Sequence, residues 1–137
     1  MMKSIAYIIP YFGKPPKNFP LWLLGCKCNP TVNWIILTDD KTIYDYPLNV
    51  KVIYTSYKNV VNRIKSHFDF DVLIDRPWRL SLFKPAYGEI FSEELQGYDF
   101  WGYCDIDLMW GNIRKFYTEE VLDQYDRVGF LGHSTLY

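Results

Sequence analysis

Two periods alternate along the chain: short apolar, β-branched runs, and stretches in which apolar residues return every three or four positions. Residues 4 to 10 form the first run, which ends in Pro10-Tyr11-Phe12-Gly13 and predicts a buried strand opening into a loop. Residues 19 to 28 follow, with Leu21, Leu24 and Cys28 at helical spacing before Asn29-Pro30 stops the pattern. Residues 33 to 38, closed by Asp39-Asp40, and residues 50 to 55 read as two more strands. Between positions 56 and 68, Val60, Val61, Ile64 and Phe68 share one helical face. Residues 71 to 79, with Pro77, read as irregular. Residues 82 to 95 predict one helix carrying Phe83, Tyr87, Ile90, Phe91 and Leu95, ending near Gly97. An aromatic strand over residues 100 to 104 runs into Asp105-Ile106-Asp107. Residues 118 to 125 predict a last helix, with Thr118 as N-cap and two glutamates in the first turn, before a strand over 128 to 131.

Buried strands alternating with amphipathic helices predict an α/β fold with a mostly parallel sheet flanked by helices. No repeat or internal boundary interrupts the 137 residues, so the expectation is a single domain. A net charge of −1 gives no electrostatic reason to expect nucleic acid, whose binding needs clustered cations. The N-terminal apolar run is too short for a signal sequence, and no transmembrane segment is predicted. Three cysteines, Cys26, Cys28 and Cys104, lack zinc spacing and suit reduced thiols in a cytoplasmic protein. Aromatic residues reach 19%, a content that serves packing and ring-stacking surfaces alike.

In a parallel sheet, ligands bind beyond the carboxyl ends of the strands, so chemistry is expected at Pro10 to Gly13, at Thr38 to Asp40 and at Asp105 to Asp107. The last of these carries the most specific signal. Two acids at i and i+2 after a strand point to the same side if the backbone stays extended, where both reach one ion. Mn²⁺ and Mg²⁺ prefer oxygen ligands, and Mg²⁺ is commonly held by one or two carboxylates plus substrate phosphates.

The segment from Gly97 to Gly111, GYDFWGYCDIDLMWG, preceded by Phe83-Lys84-Pro85-Ala86-Tyr87-Gly88, resembles glycosyltransferases of the GT-A fold, in which a helix leads into a strand ending in an Asp-x-Asp metal motif. Ile8-Ile9-Pro10-Tyr11-Phe12-Gly13 and Ile36-Leu37-Thr38-Asp39 are similar to the first two strands of bacterial polysaccharide-cluster members, so four anchors cover nearly the whole chain. The resemblance implies a GT-A-like (Rossmann-like) domain that binds a nucleotide-sugar donor, a UDP-sugar foremost, and serves a glycan acceptor. It implies that Pro10, Tyr11, Phe12 and Gly13 border base and ribose, that Asp39 lies near the nucleoside, and that Asp105 and Asp107 bind Mn²⁺ or Mg²⁺ with the donor. Such enzymes are commonly larger than one domain of ~150 residues. The chain is therefore expected to be the N-terminal part of a longer protein, truncated on the acceptor side, that binds donor but turns over poorly alone.

Lys84 opens the predicted helix, where its charge opposes the dipole, so phosphate oxygens are its expected partner. Arg76 and Arg79 flank the Pro77-Trp78 turn and can serve the same phosphates or pack. His133, in a Gly-His-Ser-Thr-Leu-Tyr loop expected to return to the site, is a candidate third metal ligand or acceptor contact; His67 sits favourably at a helix end. Tyr11 and Phe12 also suit a core, and Asp39-Asp40 also suits a turn. No residue stands out as a catalytic base. Two other readings remain open: a haloacid-dehalogenase-like phosphatase, whose Asp-x-Asp follows the first strand rather than the fourth, and a non-catalytic carbohydrate-binding module.

Overall fold

A computed structural model describes residues 2–137. The strands are β1 (Ile5–Pro10), β2 (Val32–Thr38), β3 (Val50–Tyr54), β4 (Phe100–Cys104), β5 (Val128–Leu131) and β6 (Ser134–Leu136). The α-helices are α1 (Phe19–Lys27), α2 (Tyr57–Lys65), α3 (Tyr87–Ile90), α4 (Ser92–Leu95) and α5 (Glu119–Gln124). Six strands form one sheet in the order β3-β2-β1-β4-β6-β5. The first four run parallel, whereas β6 pairs antiparallel with both β4 and β5. This is an α/β architecture with a mostly parallel sheet flanked by helices.

The two-residue period of the strands divides the core in two. Ile5, Tyr7 and Ile9 of β1 join Val32, Trp34 and Ile36 of β2 on one face, while Ala6 and Ile8 join Ile35 and Leu37 on the other. Both faces are covered, which is why these strands read as nearly continuous apolar runs. Helix α1 covers the first face and α2 the second. The connection from β2 to β3 has no helix; Tyr44 and Tyr46 fill its place by packing edge-on against Phe19, with ring centroids 4.9 and 6.3 Å away.

Caps fix the helix starts. Ser56 Oγ accepts the Asn59 N–H at the start of α2, and Thr118 Oγ1 accepts the Val121 N–H at the start of α5, as Thr118 was expected to do. The ends of β1 and β4 are aligned by Asp99, whose Oδ2 accepts the Ser4 N–H at 2.7 Å and the Ser4 hydroxyl at 2.8 Å. At Gly102 of β4, a Cβ would lie 2.5 Å from the Thr135 carbonyl oxygen, so only glycine lets β6 approach.

The structure departs from the sequence expectations in three places. In α1 the buried residues are Phe19, Trp22, Leu23 and Cys26, while Leu21, Leu24 and Cys28 are exposed. Both sets have helical spacing, and the one with the larger rings wins the core because it removes more apolar area from water. The single helix expected over residues 82 to 95 is three short pieces: a 3₁₀ segment, Pro77–Ala86, followed by α3 and α4. Pro85 supplies no N–H, and Phe91 (φ −109°, ψ 29°) leaves the helical region between α3 and α4. Tyr87, Ile90, Phe91 and Leu95 are nonetheless buried together, so the periodicity identified the face and not the backbone. Half of the loop expected at residues 132 to 137 is strand β6, inserted between β4 and β5.

Arg63 of α2 clamps this broken segment to the sheet layer. Its guanidinium donates to both carboxylate oxygens of Glu94, at 2.6 and 2.7 Å, and its Nε donates to the Ile90 carbonyl at 2.9 Å. Burial pushes the Glu94 carboxyl up, but the Arg63 hydrogen bonds outweigh it and hold Glu94 below its ordinary value. Folding therefore favours the ionised form, and the resulting stability is present above the unfolded carboxylate value and lost as pH falls through the lower folded value. Glu94→Gln is expected to cost about 1.5–3 kcal/mol at pH 7 in urea melts. The difference from wild type should shrink in acid; a pH-independent difference would contradict the clamp.

Candidate functional site

Strand order reverses at β1. The chain leaves β1 toward β2 on one side, while β4 returns on the other, and the carboxyl ends of these two strands border a crevice. A cavity of about 520 Å³ occupies it. Pro10, Tyr11 and Phe12 line it from β1, and Cys104 to Asp107 line it from β4. Pro77, Trp78, Leu80, Ser81, Lys84 and Tyr87 close a further wall.

Asp105 is held from every side. Its N–H donates to the His133 carbonyl at 2.9 Å, and its carbonyl accepts the indole N–H of Trp22 at 3.1 Å. Lys84 Nζ donates to Oδ1 at 2.9 Å, and His133 Nδ1 lies 2.9 Å from Oδ2. Lys84 also donates to the Gly132 carbonyl at 2.8 Å and stands 5.2 Å from the centroid of the Tyr103 ring. Its side chain is 17% exposed and that of Asp105 32%, so the pair is only partly screened by water. Burial first, and then the charge of Asp105, push the Tyr87 phenol up, keeping it a neutral donor to the Leu80 carbonyl at 2.7 Å.

Asp107 differs. The strand has ended at Cys104, yet alternation persists: Ile106 is buried, and Asp105 and Asp107 both line the cavity. Asp107 is exposed and has no hydrogen-bond or ion-pair partner among the described residues. No group of three or more His, Cys, Asp or Glu side chains placed to hold a metal occurs among the described residues. The donor set thus fits a hard cation only if substrate oxygens and water complete its shell, the usual arrangement for Mg²⁺ with phosphates. Lys84 and such a cation compete for the same carboxylate of Asp105.

Of the residues singled out in the sequence, Pro10, Tyr11, Phe12, Lys84, Asp105 and Asp107 meet at this cavity. His133 reaches it through Asp105. Gly13 and Asp39 do not line it. They hold each other: Gly13, at φ 91°, donates its N–H to Asp39 Oδ1 at 2.9 Å, fixing the loop after β1. Phe12 is also a core residue, set edge-on to Tyr57 at 5.7 Å. Lys84 does not open a helix but lies in the last turn of the 3₁₀ segment, so its partner is a carboxylate and the dipole argument lapses. Arg79 packs over Trp78 at 5.2 Å and approaches Asp75 at 2.7 Å in a contact too poorly aligned for a hydrogen bond. His67 and Arg76 are exposed. Trp78 and Ser81 also line the cavity but gave no sign of it in the sequence, since the stretch around Pro77 lacks clear periodicity, and Tyr87, which lines it too, read only as part of a buried helical face.

The Lys84–Asp105 contact should be energetically coupled. Lys84→Met and Asp105→Asn are each expected to destabilise by about 1.5–3 kcal/mol. In a double-mutant cycle the paired change should lose less than the sum, by about 1 kcal/mol. Strict additivity in denaturant melts would show that the contact carries no energy.

The three cysteines are unpaired, and no helix among the described residues is long and apolar enough to cross a membrane. No curated protein matches the chain. Residues 7–137, nearly its whole length, match the profile of a family described as a family of unknown function (DUF6625). The chain belongs to that family.

Proposed function

We propose that this protein is the donor-binding part of a metal-dependent glycosyltransferase of the GT-A type, which transfers a sugar from a nucleotide diphosphate sugar, a UDP-sugar foremost, to a glycan acceptor. One observation carries the reading: two carboxylates, Asp105 and Asp107, follow the strand at the topological switch point and line a single cavity with the loop after β1. A volume of about 520 Å³ is within the range of small-molecule sites, roughly 300–1,000 Å³.

In this account Mn²⁺ or Mg²⁺, when bound, neutralises charge growing on the diphosphate leaving group. The chain's own residues do the positioning. Asp105, fixed at its N–H and its carbonyl and held at Oδ2 by His133, presents Oδ1 with little freedom left to lose once Lys84 turns away. Asp107 supplies a carboxylate with no competing partner among the described residues. Lys84 exchanges one anionic oxygen for another when phosphate enters, so its charge is never left buried and alone. Pro10, Tyr11 and Phe12 form the wall available to the nucleoside, and Asp39 acts on it indirectly by fixing Gly13. His133, exposed and 2.9 Å from Asp105, is the candidate for a further ligand to the cation or for a contact with the acceptor.

Calorimetric titration with UDP, GDP and CDP, each with and without Mn²⁺, tests the proposal. UDP is expected to bind only with Mn²⁺ and to be released by EDTA. Asp107→Ala should abolish metal-linked binding without lowering the melting temperature, because Asp107 is exposed. Unchanged affinity in that variant would contradict the proposal, and metal-independent binding of free glycans would favour a carbohydrate-binding module.

A further inference from the structure

We infer that Trp78 is the stacking face for the nucleobase of the donor, an assignment that rests on the donor-binding reading above. Trp78 is 59% exposed although it is one of the largest apolar side chains, and it belongs to neither core. It lines the same cavity as the carboxylate pair. Large exposed aromatics on a concave wall mark recognition surfaces more than packing.

The ring is braced. The Arg79 guanidinium lies over it at 5.2 Å, and Asp75 restrains that guanidinium at 2.7 Å. Pro77 fixes the backbone on one side, and Ser81 Oγ donates to the Trp78 carbonyl at 2.8 Å on the other. With Arg79 on one face, the ring's opposite face is left for a ligand. An exposed indole that is already ordered loses little freedom on stacking.

Position favours the base over the sugar. Trp78 and Lys84 lie six residues apart on the 3₁₀ segment, about 12 Å at roughly 2 Å per residue. That is comparable to the reach from a nucleobase to its diphosphate, whose partners are Lys84 and the carboxylates. Beside Trp78 on the same segment, Pro77 and Leu80 line the cavity without side-chain polar groups, and the hydroxyls of Ser81 and Tyr87 are spent on the Trp78 and Leu80 carbonyls. A sugar ring needs several polar partners, whereas a base needs chiefly a flat face.

The test compares Trp78→Ala and Trp78→Phe with wild type for binding of UDP and of inorganic pyrophosphate, both with Mn²⁺, by calorimetry. Trp78→Ala should weaken UDP about tenfold and leave pyrophosphate unchanged, while Trp78→Phe should stay close to wild type. UDP affinity unchanged in Trp78→Ala would overturn the stacking role alone. Equal losses of UDP and pyrophosphate would overturn it too, by showing a general loss of the wall. If wild type binds neither probe, the donor reading itself falls, and the stacking role with it.

Discussion

The Lys84–Asp105 ion pair ties together three segments that are far apart in the chain. Through one ammonium group, the 3₁₀ segment meets the end of β4 and the Gly132 carbonyl of the β5–β6 turn. The backbone of Asp105 adds two more attachments, to His133 and to Trp22 of α1. Without a compensating cation, a half-buried carboxylate here would be costly, and its neighbour two residues on would worsen the repulsion. The protein supplies that cation internally, from the same wall that borders the cavity.

This arrangement explains why the two acids, alike in sequence, are unlike in structure. Asp105 is fixed and paired, whereas Asp107 is exposed and has no partner among the described residues. A divalent cation held by both would find one ligand already ordered and one free to adjust, with diphosphate and water completing the shell. Lys84 would then turn from protein oxygen to substrate oxygen. The same wall carries Trp78, so recognition of both ends of a nucleotide falls to one short segment.

Much of the fold was legible from the runs of apolar residues. β1, β2 and β4 lie within one or two residues of their expected positions because each is buried on both faces, and burial leaves a plain mark in composition; the edge strand β3, where only Val50 is buried, was marked by its β-branched residues instead. Thr118 announced α5 through its capping chemistry. What failed were choices between equivalent patterns. Leu21 and Leu24 obey the same spacing as Phe19, Trp22, Leu23 and Cys26, and only the packed sheet selects between them. The 82 to 95 stretch kept its buried face but not its helix, since Pro85 and the backbone of Phe91 break the hydrogen-bond ladder. Strand β6 is three residues long and exists through pairing with β4, a long-range contact that no local pattern encodes. At the site, the acid pair was visible as two carboxylates after a strand, and Lys84 as a cation at the start of an expected helix. That Lys84 binds Asp105 was not, because no spacing rule links a 3₁₀ turn to a strand end twenty-one residues away.

The account stands on a single cation bound jointly by Asp105 and Asp107. Crystals soaked with MnCl₂ and UDP and measured at the manganese absorption edge test it most directly. One anomalous peak is expected within coordinating distance of both carboxylates, with phosphate oxygens of UDP in its shell. Density for UDP without that peak, or a manganese peak away from these two side chains, would contradict it.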